Sequence, residues 1–193
     1  LEPRLELGDV HRVAYEPGSG YADPRATTHS YVRRFVELGG QLKQLCAVTG
    51  LQLEGDGIAG VETESGSIST GVVVNAAGPW SARLAAMAGV TLPLKVTREE
   101  EIIYATAAAM GGPPKLCFSD MAKAIYYRPE GSGRTLVGRG FPKEYEYVEP
   151  NGYNQEVDVS FIAETERLLH QRLPALAGAL ALNSYTGLYD VTP

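Results

Sequence analysis

The stretch Val72-Val73-Val74-Asn75-Ala76-Ala77-Gly78-Pro79-Trp80 constrains this chain more than any other. Three consecutive valines without polar alternation are expected of a strand covered on both faces, as in a parallel sheet. Gly78 ends the run. Pro79 suits the first turn of a helix that places Trp80, Leu84 and Met87 on one side before Gly89 closes it. The small side chains of Ala76, Ala77 and Gly78 allow another group close to the main chain. A helix N-terminus beyond them offers free N–H groups and a partial positive charge, which favours an anion. Two readings of the turn stand: half of an anion-binding site, or a tight strand-to-helix connection that holds nothing.

Around this stretch the pattern alternates between helix and strand signals. In "YADPRATTHSYVRRFVELGG", Asp23 can cap a helix, Pro24 fits its first position and Gly39-Gly40 stop it. Tyr31, Val32, Phe35, Val36 and Leu38 give that helix an apolar side to pack. "LKQLCAV" reads as a strand, and "LQLEGDGIAGVETES" as a hairpin turning at Gly55-Asp56-Gly57. From residue 91 the character changes. "LPLKVTREEEIIYATA" predicts a long strand, and "AIYYRPEGSGRTLVGRG" a hairpin with its turn at Glu130 to Gly133. A loop carrying Tyr145, Tyr147 and Tyr153 leads to a helix over about 158–172, stopped by Pro174, and a last strand over about 182–189. The first twenty residues are expected to add a strand to this second part. The predicted fold is α+β, with a parallel-sheet portion over 22–90 and a mainly antiparallel sheet-and-helix lobe from 1–21 and 91–193.

Composition sets limits on partners. A hydrophobic share of 44% and a charged share of 21% are those of an ordinary globular protein. A net charge of -6 gives no basic surface for nucleic acid or acidic membrane. No apolar run approaches the ~20 residues of a membrane span. No basic-then-apolar leader opens the chain, so a cytoplasmic location is expected. Cys46 and Cys117 form no CxxC pair and are expected to be reduced, buried thiols. His11, His29 and His170 lack metal-ligand spacing, so no metal site is expected. His29, within the first helix, reads as a packed or exposed histidine. The run Glu99-Glu100-Glu101 should split between two strand faces as a solvated surface. The chain starts on Leu and stops at "GLYDVTP", from which a portion of a longer polypeptide is expected.

Four stretches, "GYADPRATTHSYVRRFVELGG", "GIAGVETESGSISTGVVVNAAGPWSARLAAMAGVTLPL", "YYRPEGSGRTLVGRG" and "GLYDVTP", occur in a telling order. In that order and spacing the chain resembles the FAD-dependent amino-acid and amine oxidoreductases, the family of D-amino acid oxidase, glycine oxidase, sarcosine oxidase and dimethylglycine dehydrogenase. The resemblance implies that the portion over 22–90 is a partial Rossmann-like lobe, in which Ala77, Gly78 and Trp80 line FAD and Val48 lies where a strand backbone meets the adenine. It implies a substrate-binding lobe in which Tyr127 faces the substrate and Tyr189 helps bind its carboxylate, a role a neutral phenol donor suits. Arg128 and Arg139 are further candidates for a substrate anion. For each tyrosine and arginine the alternative is an ordinary structural role. The family's GxGxxG fingerprint, which holds the FAD pyrophosphate between a strand and a helix, is matched here only in its letters, at Gly55-Asp56-Gly57-Ile58-Ala59-Gly60 inside the predicted hairpin.

Departures from the family pattern narrow the chemistry. The oxygen-activating lysine of the monomeric sarcosine oxidases would fall at Leu136, a nearby histidine at Gly140, and the cysteine that attaches flavin covalently at Gly187. The resemblance therefore implies non-covalent FAD at that position and a lean towards a dehydrogenase. The expected function is the substrate-domain portion of an FAD-dependent oxidoreductase that oxidises the C–N bond of a small amine or amino acid. The portion alone is expected to be inactive and not to retain FAD. The competing expectation is a noncatalytic binding or assembly module, with the loop from Phe141 to Tyr153 as its contact surface.

Overall fold

The computed structural model describes residues 2–193. The chain divides into two compact units, one comprising Leu1–Tyr21 and Val96–Tyr189, the other Ala22–Lys95 and Asp190–Pro193.

In the unit built on residues 22–95, helix α1 spans Pro24–Glu37. Asp23 caps it in an extended conformation, its Oδ1 accepting the Ala26 N–H at 2.7 Å, while Pro24 fills a first-turn position that needs no N–H. Strands β1 (Val48–Glu54), β2 (Gly57–Thr63) and β3 (Gly66–Ser69) form an antiparallel sheet in that order. The two-residue turn joining β1 and β2 relies on Gly55 at φ 59°, the conformation its first position demands. A single 3-10 turn at Gly78–Trp80 runs into α2, Ser81–Ala86.

Three expectations for this unit are corrected. "LKQLCAV" is irregular until Val48. Val72–Val74 is not a strand, and Val72 and Val74 are 76% and 83% exposed. A valine run gains strand geometry only from neighbours that pair with it and cover it, and no described strand does so. For the same reason α1 buries none of its residues, and Tyr31, Phe35 and Leu38 are exposed. Outside this unit Cys117, expected to be buried, is exposed; both cysteines are free.

The other unit is a five-stranded sheet covered on one face by a helix. Its strands are β4 (Lys95–Ala105), β5 (Phe118–Asp120), β6 (Ile125–Pro129), β7 (Arg134–Arg139) and β8 (Ala181–Val191), in spatial order β5-β6-β7-β4-β8. Gly131 and Gly133, both at positive φ, turn the β6–β7 hairpin. Helix α3 (Val159–Arg172) buries Phe161, Thr165, Leu169 and Arg172, a 4-4-3 spacing that draws one stripe down the helix. That stripe meets Ile102, Tyr104, Ile125, Tyr127 and Val137 in one core with Leu173 and Leu176. Pro174 stops the helix by excluding helical geometry at Leu173, which lies at φ -129°.

Among the described residues, 2–20 form no strand, contrary to expectation. Buried Arg172 and half-buried Arg4 fix this segment instead. Arg172 reaches the Glu6 carbonyl, Asp9 at 2.8 Å and Asp120 at 2.6 Å, and Arg4 binds Glu2 at 2.7 Å and the Gly112 carbonyl at 2.7 Å. A third arginine, Arg98, gathers the start of α3 and the preceding loop. It contacts Glu100 at 3.1 Å, Glu146 at 3.0 Å, Asp158 at 3.3 Å and the carbonyls of Asn154 and Glu156. The loop from 141 onward is also tied to β4 by a bridge between Tyr147 and Thr97.

Candidate functional site

Alternation along the strands sorts the polar residues of the second unit onto two faces. On β4, Arg98, Glu100, Ile102 and Tyr104 are buried, the last two in the core under α3. Glu99, Glu101 and Ile103 point to the far face. The acidic run is split as expected, but it is not solvated: Glu100 is buried against Arg98, and the Glu99 side chain is 11% exposed against Lys143.

The far face is organised around Glu101. Glu101, Gly138 and Tyr126 are register partners across three adjacent strands. The outer two backbones are therefore roughly 9–10 Å apart, two inter-strand spacings. The Tyr126 phenol closes that gap by lying across Gly138 and donating its proton to the Glu101 carboxylate. A Cβ at residue 138 would lie 2.5 Å from the Tyr126 ring, so glycine is required there for the ring to lie flat. Burial, then the bond to Glu101, pushes the Tyr126 pKa far up, so the phenol keeps its proton. Tyr185 on β8 is raised by burial and then by its contact with the same carboxylate. Tyr189 is raised by burial and by the charges of Glu101 and Glu99.

Lys143 completes the face. Its side chain is 4% exposed, it ion-pairs with Glu99, and its Nζ lies 4.9, 5.9 and 5.4 Å from the ring centroids of Phe141, Tyr145 and Tyr189. Gly187, between Tyr185 and Tyr189 on β8, has nothing within 4 Å in the direction of a side chain. The result is a bare patch of strand flanked by two phenols.

The residues singled out from sequence fall in different places. Tyr189 is on the far face and 48% exposed. Arg128 shares that face with Tyr126, but Glu130 neutralises it and its guanidinium lies 4.4 Å from the Tyr21 ring centroid. Tyr127 is not brought there. It is 1% exposed in the core, stacked on Phe118 at 5.1 Å, because it is one residue out of phase with Tyr126. Arg139 also belongs to the helix side, 3.6 Å from Glu100 and 5.1 Å from the Phe161 ring centroid. Leu136 is buried, and a side chain at Gly140 would press on the Ile125 backbone at 2.9 Å. Tyr126, Glu101, Tyr185 and Lys143 were missed as site residues. Strand alternation in "REEEIIY" and "IYYRP" pointed to two faces but not to which face would be covered.

In the other unit, Ala77 and Gly78 are half-buried, Trp80 is exposed, and Val48 opens β1 with its side chain exposed. Gly78, at φ 51°, has no atom within 4 Å on its side-chain direction, so the main chain there is open to close approach. The helix that follows does not supply an anion site. It has only six residues, and the turn uses its own N–H groups. Ala77 N–H donates to Asn75 Oδ1 at 3.2 Å, Trp80 N–H to the Ala77 carbonyl, and Ser81 N–H to the Gly78 carbonyl. Asn75 Nδ2 in turn donates to the Ser81 carbonyl at 2.9 Å. The turn is therefore held by its own hydrogen bonds and leaves bare main chain at Gly78. Among the described residues no group of side chains could hold a metal ion, and no helix is long and apolar enough to cross a membrane.

The architecture is a mixed fold of antiparallel sheets, one of which has a helix-covered face and a phenol-rich face. The sequence profile of the FAD dependent oxidoreductase family matches residues 1–193, and the chain belongs to that family. It is similar to mouse mitochondrial sarcosine dehydrogenase, 32% identical over 143 residues, covering 72% of this chain and 15% of that protein. It is 33% identical over 158 residues to 4-methylaminobutanoate oxidase (formaldehyde-forming) of Paenarthrobacter nicotinovorans, covering 79% and 19%. Human mitochondrial dimethylglycine dehydrogenase is 27% identical over 204 residues, covering 99% and 23%. The chain thus spans less than a quarter of the length of these relatives. Among solved structures, L-proline dehydrogenase from P. horikoshii superposes with a TM-score of 0.86 at 26% identity, covering 99% of this chain and 50% of that one. Glycine oxidase from Geobacillus kaustophilus superposes with a TM-score of 0.77 at 20% identity, covering 100% and 48%, and shares the fold.

Proposed function

We propose that the protein, in its full-length form, is an FAD-dependent oxidoreductase that oxidises the C–N bond of a small amine or amino acid of the sarcosine or dimethylglycine type. The match of the family along all 193 residues carries this reading, and its sarcosine- and dimethylglycine-type relatives support the substrate class. Residues 22–90 act as part of the FAD-binding lobe, and 1–21 with 91–193 as the substrate lobe. Ala77 and Gly78 offer open main chain and Trp80 a flat ring to FAD, with Val48 beside the adenine. When bound, FAD supplies the two-electron acceptor for the hydride leaving the carbon beside nitrogen, and the iminium product then takes up water.

The chain's own residues bind and orient. Tyr189, protonated and half-exposed, donates to the substrate carboxylate. Arg128 lends positive charge nearby, reduced by Glu130. Tyr127 and Arg139 support this face from beneath, through the core and through Glu100. Leu136 is apolar where the monomeric sarcosine oxidases carry lysine, which favours a dehydrogenase with a non-oxygen acceptor. Gly187 supplies no thiol, so FAD is not attached there.

The test is anaerobic mixing of the FAD-loaded full-length protein with sarcosine, dimethylglycine, 4-methylaminobutanoate and a D-amino acid. Bleaching of the long-wavelength flavin band by at least one is expected, with slow return of colour on admitting oxygen. A protein that binds FAD yet is bleached by none would refute the function. Rapid recolouring in oxygen would overturn the dehydrogenase preference alone.

A further inference from the structure

Glu99 and Glu101 stand two residues apart on the far face of β4, so their carboxylates are strand neighbours on the order of 7 Å apart. Glu99 already holds an ammonium. Lys143 ion-pairs with it and is surrounded by the rings of Phe141, Tyr145 and Tyr189. A carboxylate with aromatic rings about it is the arrangement that recognises alkylammonium groups, through charge and the negative faces of the rings. Glu101 repeats the arrangement with Tyr126 and Tyr185, but among the described residues it makes no ion pair.

Proton counting fixes the polarity of this second carboxylate. A phenol has one O–H and can donate once. Tyr126 gives that proton to Glu101, so it offers an incoming ligand only lone pairs. Glu101 adds a negative charge, and Gly138 beneath the ring adds no side chain. Such a patch repels a carboxylate and accepts a positively charged N–H donor. Tyr189 is the phenol left with a proton to give, four residues from Tyr185 along β8.

We propose that Glu101, flanked by Tyr126 and Tyr185, is the specificity-determining residue that receives the alkylammonium nitrogen of the substrate, leaving its carboxylate to Tyr189. This rests on reading the far face as the substrate side. It makes the substrate a small secondary or tertiary ammonium carboxylate, with the two charges received at separate points of one sheet face.

Binding without turnover tests it. Dimethylammonium chloride and sodium acetate, each carrying one half of the dimethylglycine chemistry, are titrated calorimetrically into the full-length protein, its E101Q variant and its Y126F variant. Dimethylammonium is expected to bind, to weaken at least about tenfold in E101Q, and to change less than about threefold in Y126F, which keeps the charge. Acetate should change less than about twofold in E101Q. Equal weakening of both ligands, or dimethylammonium unaffected by E101Q, would overturn the proposal. Should E101Q fail to fold, the unmodified protein decides: acetate displacing dimethylammonium from one shared site overturns it, and simultaneous binding of both supports it. Since no oxidation is read, a protein that binds dimethylammonium in this way but is bleached by no amine would refute the oxidoreductase reading and leave the ammonium site standing.

Discussion

Tyr126 and Tyr127 show how one residue of phase separates two roles. The same phenol chemistry gives a core stack on Phe118 at residue 127 and a proton donor to Glu101 at 126. A charged acceptor makes the Tyr126 bond the stronger kind, so a double-mutant cycle of Tyr126→Phe with Glu101→Gln should show coupling of about 1.5–3 kcal/mol in denaturant melts. Gly138→Ala should displace the Tyr126 ring, since the added methyl would sit 2.5 Å from it. The ring is the free end of a side chain and can swing aside. We therefore expect a stability loss of about 1 kcal/mol or less, with a shift or loss of the Tyr126 hydroxyl proton signal. An unchanged proton spectrum in Gly138→Ala would show that the ring does not need the glycine.

At the scale of elements, buried arginines hold irregular segments to regular ones. Arg98 joins β4 to the segment leading into α3 through four described partners, with its side chain 1% exposed. Arg98→Met leaves Glu100 buried with the Asp158 N–H at 2.7 Å and Arg139, at 3.6 Å, as its one described cation, and should lower stability by about 3 kcal/mol, a fall in Tm on the order of 10 °C. The N-terminal segment answers to pH. The Arg4 guanidinium holds the Glu2 carboxyl down at about 2, and Arg172 followed by Lys123 holds Asp9 at about 2. Both carboxyls are depressed below their unfolded values, so their contribution is complete above about pH 4.5 and is lost as pH falls towards 2. Hydrogen exchange in residues 2–21 should rise across that window before α3 loses protection. Simultaneous loss of both would mean that the clamps are not what holds the segment.

For the molecule as a whole, Val72 and Val74 pose the sharpest question, being apolar, consecutive and exposed. On the proposed reading they are covered in the full-length protein, so Val72→Asp with Val74→Asp should shift the stability of the 193-residue chain by no more than about 0.5 kcal/mol. The same pair should lower the Tm and the FAD content of the full-length protein, read by melting and by flavin absorbance. An equal response in both forms would remove the case for a covered strand. Local signals made much of this architecture legible. Asp23-Pro24 marked α1, Gly55 the first hairpin, Gly131 and Gly133 the second, and Pro174 the end of α3, because caps, turns and breakers act through the backbone of a few adjacent residues. The family, too, was legible in the order of four motifs. What the sequence could not assign was sidedness: which tyrosine of "IYYRP" faces α3, which glutamate of "EEE" meets Arg98, and whether three valines find a neighbour. Those depend on groups brought together from distant parts of the chain, Gly138 beneath Tyr126 and α3 above Tyr127, and only tertiary packing decides which face of a strand is covered.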